Sequence, residues 1–322
     1  MHRETRFHPG PDQLALASAI EESLASQLPL ARLHLSQQES AQTWSSLAEI
    51  GIFAVTASEA EGGSGLGAVE EALIAMTLGA RLAAPAVIAT MGAAHALRGG
   101  NASAPRGLPI AAAMRRGARI VVLDQEGAQH ALVRDSTGAS IHALGASSAP
   151  LDARLWLATL REYAACGEPL ARFDASGLLR LRLLDAALLA GIAQAALDMA
   201  VGYAQVREQF GRPIGSFQAI KHHCANMAIA ARCARDQVSF AAVALDDRRD
   251  DAELQIECAL WAAGSAALDN AGKNIQIHGG IGFSDEADAH LFLKRAQLQI
   301  SLAGGLEAAN RRVSNVETSA WG

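Results

Sequence analysis

Apolar residues recur every three or four positions over most of the second half of the chain. One stripe covers residues 188–206, a second covers residues 224–245, and a third covers residues 256–267. Such spacing places apolar side chains on one face of a helix. The pattern predicts three long antiparallel helices and a shorter fourth helix near residues 289–302, which together form a four-helix bundle within residues 176–322.

The first third of the chain carries helical stripes as well. Apolar positions recur within residues 14–24 and 44–53, and a further stripe begins at Val69. A glycine-rich break at residues 62–65 separates the second stripe from the third. We therefore expect an N-terminal helical domain over residues 1–105.

The pattern changes between these two helical regions. Prolines, glycines and short apolar runs of strand-like composition appear, and the runs occupy residues 118–123, 131–134, 140–143 and 153–157. This favours a small β domain over residues 106–175. The predicted fold class is therefore mostly α, with a reduced β domain in the middle and a helical bundle at the C-terminal end.

Composition agrees with a helical fold and excludes some kinds of partner. Half of the residues are hydrophobic, but only 4% are aromatic, which disfavours an all-β fold. The net charge is −6, and basic and acidic residues are interspersed, so a nucleic-acid surface is not expected. Neither a signal peptide nor a run of ~18 apolar residues is evident, and we expect a soluble cytoplasmic protein that does not bind membranes.

Cysteine and histidine spacing gives no metal motif. The four cysteines form no Cys-x-x-Cys pair and are interpreted as small buried residues of a reducing compartment. Adjacent histidines on a helix point about 100° apart and do not easily share one ion. We expect core or surface roles for the histidines at positions 222, 223, 278 and 290, and no metal site.

One turn concentrates groups that suit a phosphate. Arg207 and Arg212 lie beside Phe210, between a helix predicted to end near Phe210 and another predicted to start near Phe217, with Ser216 as a candidate N-cap. An arginine fork matches phosphate oxygens, and the N–H groups at a helix start add partial positive charge. The alternative is that both arginines cap carbonyls or are solvated.

Two segments carry a family resemblance. Residues 203–226 and residues 274–283, Asn-Ile-Gln-Ile-His-Gly-Gly-Ile-Gly-Phe, resemble the C-terminal domain of acyl-CoA dehydrogenase family flavoproteins. Within the first segment, residues 211–222, Gly-Arg-Pro-Ile-Gly-Ser-Phe-Gln-Ala-Ile-Lys-His, are most similar to bacterial members that act on steroid and other bulky acyl-CoA substrates. The middle domain is shorter than in full-length members, and Trp156 does not match the tryptophan segment that lies against the flavin.

The resemblance implies FAD bound across a subunit interface. It assigns the pyrophosphate to Arg207 and the adenine end to three apolar residues, Phe210, Ile214 and Phe217. It assigns the ADP portion of a flavin held mostly by the neighbouring subunit to Gln276, Gly279 and Gly280. For the two glycines, the alternative interpretation is a helix C-cap and turn.

The reaction implied by the resemblance is α,β-dehydrogenation of an acyl-CoA thioester, for which a carboxylate removes the α-proton. Relatives place that base at one of two positions. In this chain the first is Ala303, and the second is Leu181 or Arg182. Asp185, about one helical turn further on, is the substitute candidate, and its alternative role is an acid near a helix N-terminus.

A missing base together with a reduced middle domain resembles the smaller subunit of heteromeric steroid-type enzymes. The chain is then expected to complete a shared FAD site in a homo- or hetero-oligomer with another acyl-CoA dehydrogenase subunit. The resemblance implies electron-transfer flavoprotein as the acceptor. Two alternatives stay open: a self-sufficient homo-oligomeric dehydrogenase, and a non-catalytic helical scaffold.

Overall fold

The computed structural model describes residues 7–36, 38–96, 107–117, 119–123, 125–136, 138–145, 157–163 and 167–315. Helices dominate both ends of this range. The N-terminal helices are α1 (Pro11–Gln27), α2 (Ala41–Ile50), α3 (Ala68–Ala80) and α4 (Pro85–Ala96). The C-terminal helices are α5 (Ala175–Val206), α6 (Gln218–Asp246), α7 (Ala252–His278), α8 (Ala289–Leu302) and α9 (Leu306–Asn315).

A six-stranded sheet lies between the two helical regions. Its strands are β1 (Ile110–Arg116), β2 (Arg119–Leu123), β3 (His130–Asp135), β4 (Gly138–Ala143), β5 (Leu160–Tyr163) and β6 (Ala171–Arg172). Their order is β5-β2-β1-β3-β4-β6. The β1–β3 pair is parallel, with Ala112 opposite Leu132, and the other pairs are antiparallel.

The sheet occupies the stretch predicted for the middle domain, but the predicted strand set was incomplete. β1 was missed because its alanine-rich sequence has low strand propensity. β5 and β6 were also missed. The run predicted at residues 153–157 falls outside the described residues, apart from Leu157, which is buried and not in a strand.

Helix α5 is the central element of the core. Its N-terminus is capped by Asp174, whose carboxylate accepts a hydrogen bond from the Gly177 N–H at 2.7 Å. It packs against α3, α6 and α7. Among the described residues, α5 alone is long and apolar enough to cross a membrane, but 72% of its most apolar window is buried. That burial is what the core helix of a globular fold shows.

The mostly helical fold class with a small sheet and a C-terminal bundle is confirmed. The four predicted bundle helices correspond to α5, α6, α7 and α8. α9 was not predicted, and it packs on α7 with Ala309 fully buried. The exact domain boundaries remain a prediction.

Two glycines hold α3 and α5 in close contact. A Cβ added at Gly191 of α5 would overlap the carbonyl oxygen of Met76, and one added at Gly79 of α3 would overlap the carbonyl oxygen of Leu188. Backbone atoms of the facing helix occupy the space that a methyl group would need. The helices therefore cannot keep this spacing if either glycine gains a side chain.

We expect Gly191→Ala to lower the free energy of unfolding by about 3 kcal/mol, because overpacking forces the two helices apart. The matched control is Gly202→Ala on the same helix, where a Cβ meets nothing within 4 Å. There alanine should raise stability by about 0.5–1 kcal/mol through helix propensity. Urea denaturation of the isolated chain measures both, and equal effects at the two positions would contradict the close contact.

Candidate functional site

The turn after α5 is built by a two-residue hairpin. α5 ends at Val206, and β7 (Glu208–Gln209) pairs with β8 (Arg212–Pro213). Phe210 and Gly211 form the loop with φ of 53° and 74°, and the Ile214 N–H donates to the Arg207 carbonyl at 2.7 Å. The predicted helix end near Phe210 was therefore four residues too late, because strand pairing replaces the last helical turn.

The start of α6 also differs from the prediction. Residues Ile214–Ser216 form a short 3-10 helix, and Phe217 is the N-cap residue of α6, with no side chain capping the helix. The prediction of Ser216 as N-cap was wrong. Its hydroxyl is buried and has no hydrogen-bond partner in the part of the chain that the structure describes.

This turn and the one after α7 line one groove of about 630 Å³, which we call the turn groove. From the first turn it takes the predicted residues Arg207, Phe210, Ile214 and Phe217. From the second turn it takes Gly279 and Gly280, together with their neighbours Ile277, His278 and Ile281. The structure thus brings together the two segments that carry the family resemblance, although about 70 residues separate them in sequence.

Gln276 is the exception. It lies in the last turn of α7 and is exposed, but it does not line the turn groove. Its neighbours Ile275 and Ile277 are buried, so Gln276 points away from them toward solvent. Contact between Gln276 and the ADP portion of a flavin on another subunit remains a prediction.

The turn groove combines aromatic surface with positive charge. The rings of Phe210 and Phe217 meet edge to face at 6.1 Å, and the Arg212 guanidinium lies 4.2 Å from the centre of the Phe217 ring. Arg207 is exposed, and within the described part of the chain no carboxylate lies within 4 Å of it. Its guanidinium is therefore available to an anionic ligand.

Tyr203 and His278 form the side of the turn groove that the sequence did not predict. Their rings stack with 4.0 Å between centroids, and the His278 Nδ1–H donates to the Asn274 carbonyl at 2.8 Å. In the neutral form of the ring, that bond leaves Nε2 as an acceptor. Both residues lie within the segments that carry the resemblance, so position in the motif was the signal that could have found them.

The glycines keep one side of the turn groove open. Gly279 is the C-cap residue of α7 with φ of 67°, so the helix-cap interpretation is confirmed for it. A Cβ at Gly279 or Gly280 would meet nothing within 4 Å. An unpaired arginine, two aromatic rings and an open backbone turn together fit the diphosphate and purine of the ADP half of FAD.

A second groove, of about 690 Å³, lies between the sheet and the bundle, and we call it the sheet groove. It is lined by the ends of β1 and β3, the first half of α5, the α8–α9 connection and α9. Both positions at which relatives carry the base line it, since Ala303, Leu181 and Arg182 are all among its lining residues. None of them is a carboxylate.

Asp185 lies in the wall of the sheet groove and is fully buried. Arg134 Nη1 and Nη2 donate to its two oxygens, the longer bond being 3.1 Å, and Gln299 Nε2 donates to Oδ1 at 2.7 Å. Burial raises the pKa of the Asp185 carboxyl, and the Arg134 guanidinium offsets part of that rise. Asp185 lies in the interior of α5, so its interpretation as an acid near a helix N-terminus was wrong. The geometry favours a structural ion pair between Arg134 of the sheet and Asp185 of the bundle.

No cluster of three or more metal-ligating side chains occurs within the described residues. Cys224, Cys233 and Cys258 are free thiols, and Cys233 is exposed, which differs from the expected burial. Cys166 and Trp156 fall outside the described residues.

Comparison with known proteins identifies the family. Residues 10–103 match the model of the acyl-CoA dehydrogenase N-terminal domain, and residues 172–315 match that of the acyl-CoA dehydrogenase C-terminal domain. The chain is 48% identical over 131 residues to acyl-CoA dehydrogenase FadE34 of Mycobacterium tuberculosis, which covers 40% of this chain and 18% of that protein. It is 37% identical over 139 residues to acyl-CoA dehydrogenase IpdE2 of the same organism, and this alignment covers 43% of this chain and 41% of that protein.

The chain therefore spans less than half the length of these two curated relatives in the aligned regions. Among solved structures, it superposes on a chain of the ChsE4-ChsE5 complex from Mycobacterium tuberculosis with a TM-score of 0.72. The identity is 20%, and the match covers 96% of this chain and 98% of that one, which shows a shared fold. The two matching domain models, in order and flanking the sheet, establish that this chain belongs to the acyl-CoA dehydrogenase family, whose members use FAD.

Proposed function

We propose that this chain is a subunit of an acyl-CoA dehydrogenase assembly that contributes the ADP-binding part of a shared FAD site and not the catalytic base. Bound FAD would supply the acceptor for the hydride that leaves the β-carbon of an acyl-CoA thioester. Arg207 would hold the pyrophosphate, the rings of Phe210 and Phe217 would contact the adenine, and the Gly279–Gly280 turn would allow close approach.

The separation of the two grooves supports a site shared between subunits. Leu181 of the sheet groove and Tyr203 of the turn groove lie on the same helix, 22 residues apart. At 1.5 Å per residue, that is about 33 Å along α5. A flavin dinucleotide is too short to span it, so an ADP half in the turn groove places the reactive ring on another subunit. This separation is the observation that carries the proposal.

The side chains at the base positions of relatives support the second part of the proposal. Ala303, Leu181 and Arg182 carry no acid, and both oxygens of Asp185 accept hydrogen bonds in a fully buried ion pair. A general base must reach the proton that it removes. Asp185 would have to break its bonds to Arg134 before it acted.

One structural neighbour and one sequence segment support the kind of assembly. The ChsE4-ChsE5 match is a complex of two named proteins, and the sequence segment at residues 211–222 resembles members that act on steroid and other bulky acyl-CoA substrates. We infer a hetero-oligomer as the working assembly, a bulky acyl-CoA as its substrate class and electron-transfer flavoprotein as its acceptor.

The test is reconstitution with candidate full-length acyl-CoA dehydrogenase subunits. The mixture is expected to reduce an artificial dye in the presence of acyl-CoA, whereas this chain alone should not. Robust turnover by the isolated chain would reject the proposal in favour of the self-sufficient enzyme, and Asp185→Asn would then test Asp185 as its base. If neither FAD nor a CoA thioester shifts the melting temperature of any mixture, the scaffold alternative is supported.

A further inference from the structure

The sheet groove is lined by an unusual number of arginines for a chain with a net charge of −6. Six of them contribute: Arg115, Arg116, Arg134, Arg182, Arg311 and Arg312. They come from β1, β3, α5 and α9, so four separate elements converge on one volume. Among the described residues, two carboxylates, Asp135 and Asp185, line the same groove.

These two carboxylates are already used by two of the arginines. Asp185 pairs with Arg134 inside the wall, and Asp135 lies 3.3 Å from Arg115. Each pair is close to neutral, so neither carboxylate offsets the charge of the remaining guanidinium groups.

Two further arginines share a single acid. Arg182 Nη1 and Arg312 Nε both lie 2.8 Å from Oε1 of Glu257, which is fully buried behind the groove. Arg182 also lies 4.0 Å from Glu253, which is largely exposed. Arg312 Nε and Nη2 are both buried, and among the described residues neither has a hydrogen-bond partner, so the contact of Nε with Glu257 is an ion pair and not a hydrogen bond. One positive charge is therefore only partly compensated, and two donors are left unused.

At the rim, Arg311 lies 3.8 Å from Glu307, a pair that is mostly solvent-exposed and contributes little. Arg116 is exposed at the end of β1, and within the described part of the chain no carboxylate lies within 4 Å of it. The groove consequently carries a surplus of positive charge, which is centred on Arg116 and Arg312.

Seven of the other twelve lining residues are apolar, and the remaining five are Ser136, Gly138, Ser301, Gly304 and Asn315. The apolar members are Met114, Ala139, Leu178, Leu181, Leu302, Ala303 and Ala308. A volume of about 690 Å³ lies in the range that holds a small molecule of lipid size. Apolar walls with convergent, incompletely paired guanidinium groups match a ligand that has an apolar body and an acidic group.

We propose that the sheet groove is a binding site for an amphipathic carboxylate, that is, a free acid with a chain or ring body. The carboxylate would pair with Arg116 and Arg312, and the apolar body would lie against Leu178, Leu181 and Leu302. Binding involves no reaction. It requires no flavin and no second subunit, so it stands apart from the shared FAD site.

Isothermal titration of the isolated chain with decanoate tests this site, with decanol, inorganic phosphate and decanoyl-CoA as comparison ligands. Decanoate is expected to bind, and decanol and phosphate to bind at least tenfold more weakly, because each lacks one of the two recognised parts. Arg116→Gln should weaken decanoate binding about tenfold, the scale of one charge-assisted hydrogen bond. Ala308→Trp should abolish it by filling the groove.

The matched control is Arg119→Gln, which removes the same charge from the neighbouring strand but from a side chain outside the groove. It should leave decanoate affinity unchanged. Equal losses for the two arginine variants, equal binding of decanol and decanoate, or binding of decanoyl-CoA alone would overturn the proposal. Arg207→Gln in the turn groove should not affect decanoate, so failure here and failure of the FAD proposal are distinguishable.

Discussion

Replacing Asp185 with asparagine is expected to lower the free energy of unfolding by about 3 kcal/mol, because it leaves the mostly buried Arg134 guanidinium without its anionic partner. Asparagine keeps the shape of the side chain and an oxygen that can accept the Gln299 hydrogen bond. The loss of stability therefore measures the contribution of the ion pair and not the cost of a cavity. Urea denaturation followed by circular dichroism measures it.

A double-mutant cycle isolates the pair. Arg134→Met alone should cost a similar amount, since it leaves a buried carboxylate unpaired, but Arg134→Met combined with Asp185→Asn should cost clearly less than the sum of the two. If the stability losses of the two single variants add up to that of the double variant, the ion pair does not connect β3 to α5. The same variants separate structure from catalysis: a base would lose activity in Asp185→Asn without this dependence on Arg134.

Arg207→Gln is expected to weaken FAD binding by the assembled enzyme about tenfold to a hundredfold, because a charge-assisted contact with the pyrophosphate is lost. Flavin fluorescence during titration of the flavin-free assembly measures the affinity. The exposed position of Arg207 means that folding of the chain itself should not change.

The control for this prediction is Arg235→Gln, an exposed arginine on α6 outside the turn groove. This variant has the same net charge as Arg207→Gln, but it should leave FAD affinity unchanged. If both variants weaken FAD equally, the effect is one of overall charge, and Arg207 does not contact the cofactor.

The helical part of the fold was predictable because its signal is local. Stripes such as Leu188–Ile192–Ala196 fix both the helix and its buried face, and the three residues are fully buried in α5. β1 lacked such a signal, since its alanines become strand residues only by pairing with β2 and β3. Tertiary pairing there overrides weak local propensity.

The candidate site was predictable only in part. The family segments supplied Arg207, Phe210, Gly279 and Gly280, and the fold brought them into one groove. The hairpin that ends α5 at Val206 depends on pairing across the turn, which helix periodicity does not encode.

The charge pairs of the sheet groove join residues that are distant in sequence. Arg134 and Asp185 are 51 positions apart, and Arg182 and Glu257 are 75 apart. A single sequence shows that these charges exist but not which of them meet. The incompletely paired arginines therefore became visible only in the folded chain.

Native mass spectrometry of this chain, alone and co-expressed with a full-length acyl-CoA dehydrogenase subunit, tests the shared-flavin account most directly. FAD mass is expected only on species that contain at least two chains, and Arg207→Gln should deplete it there. One FAD retained by a single copy of this chain would contradict the account.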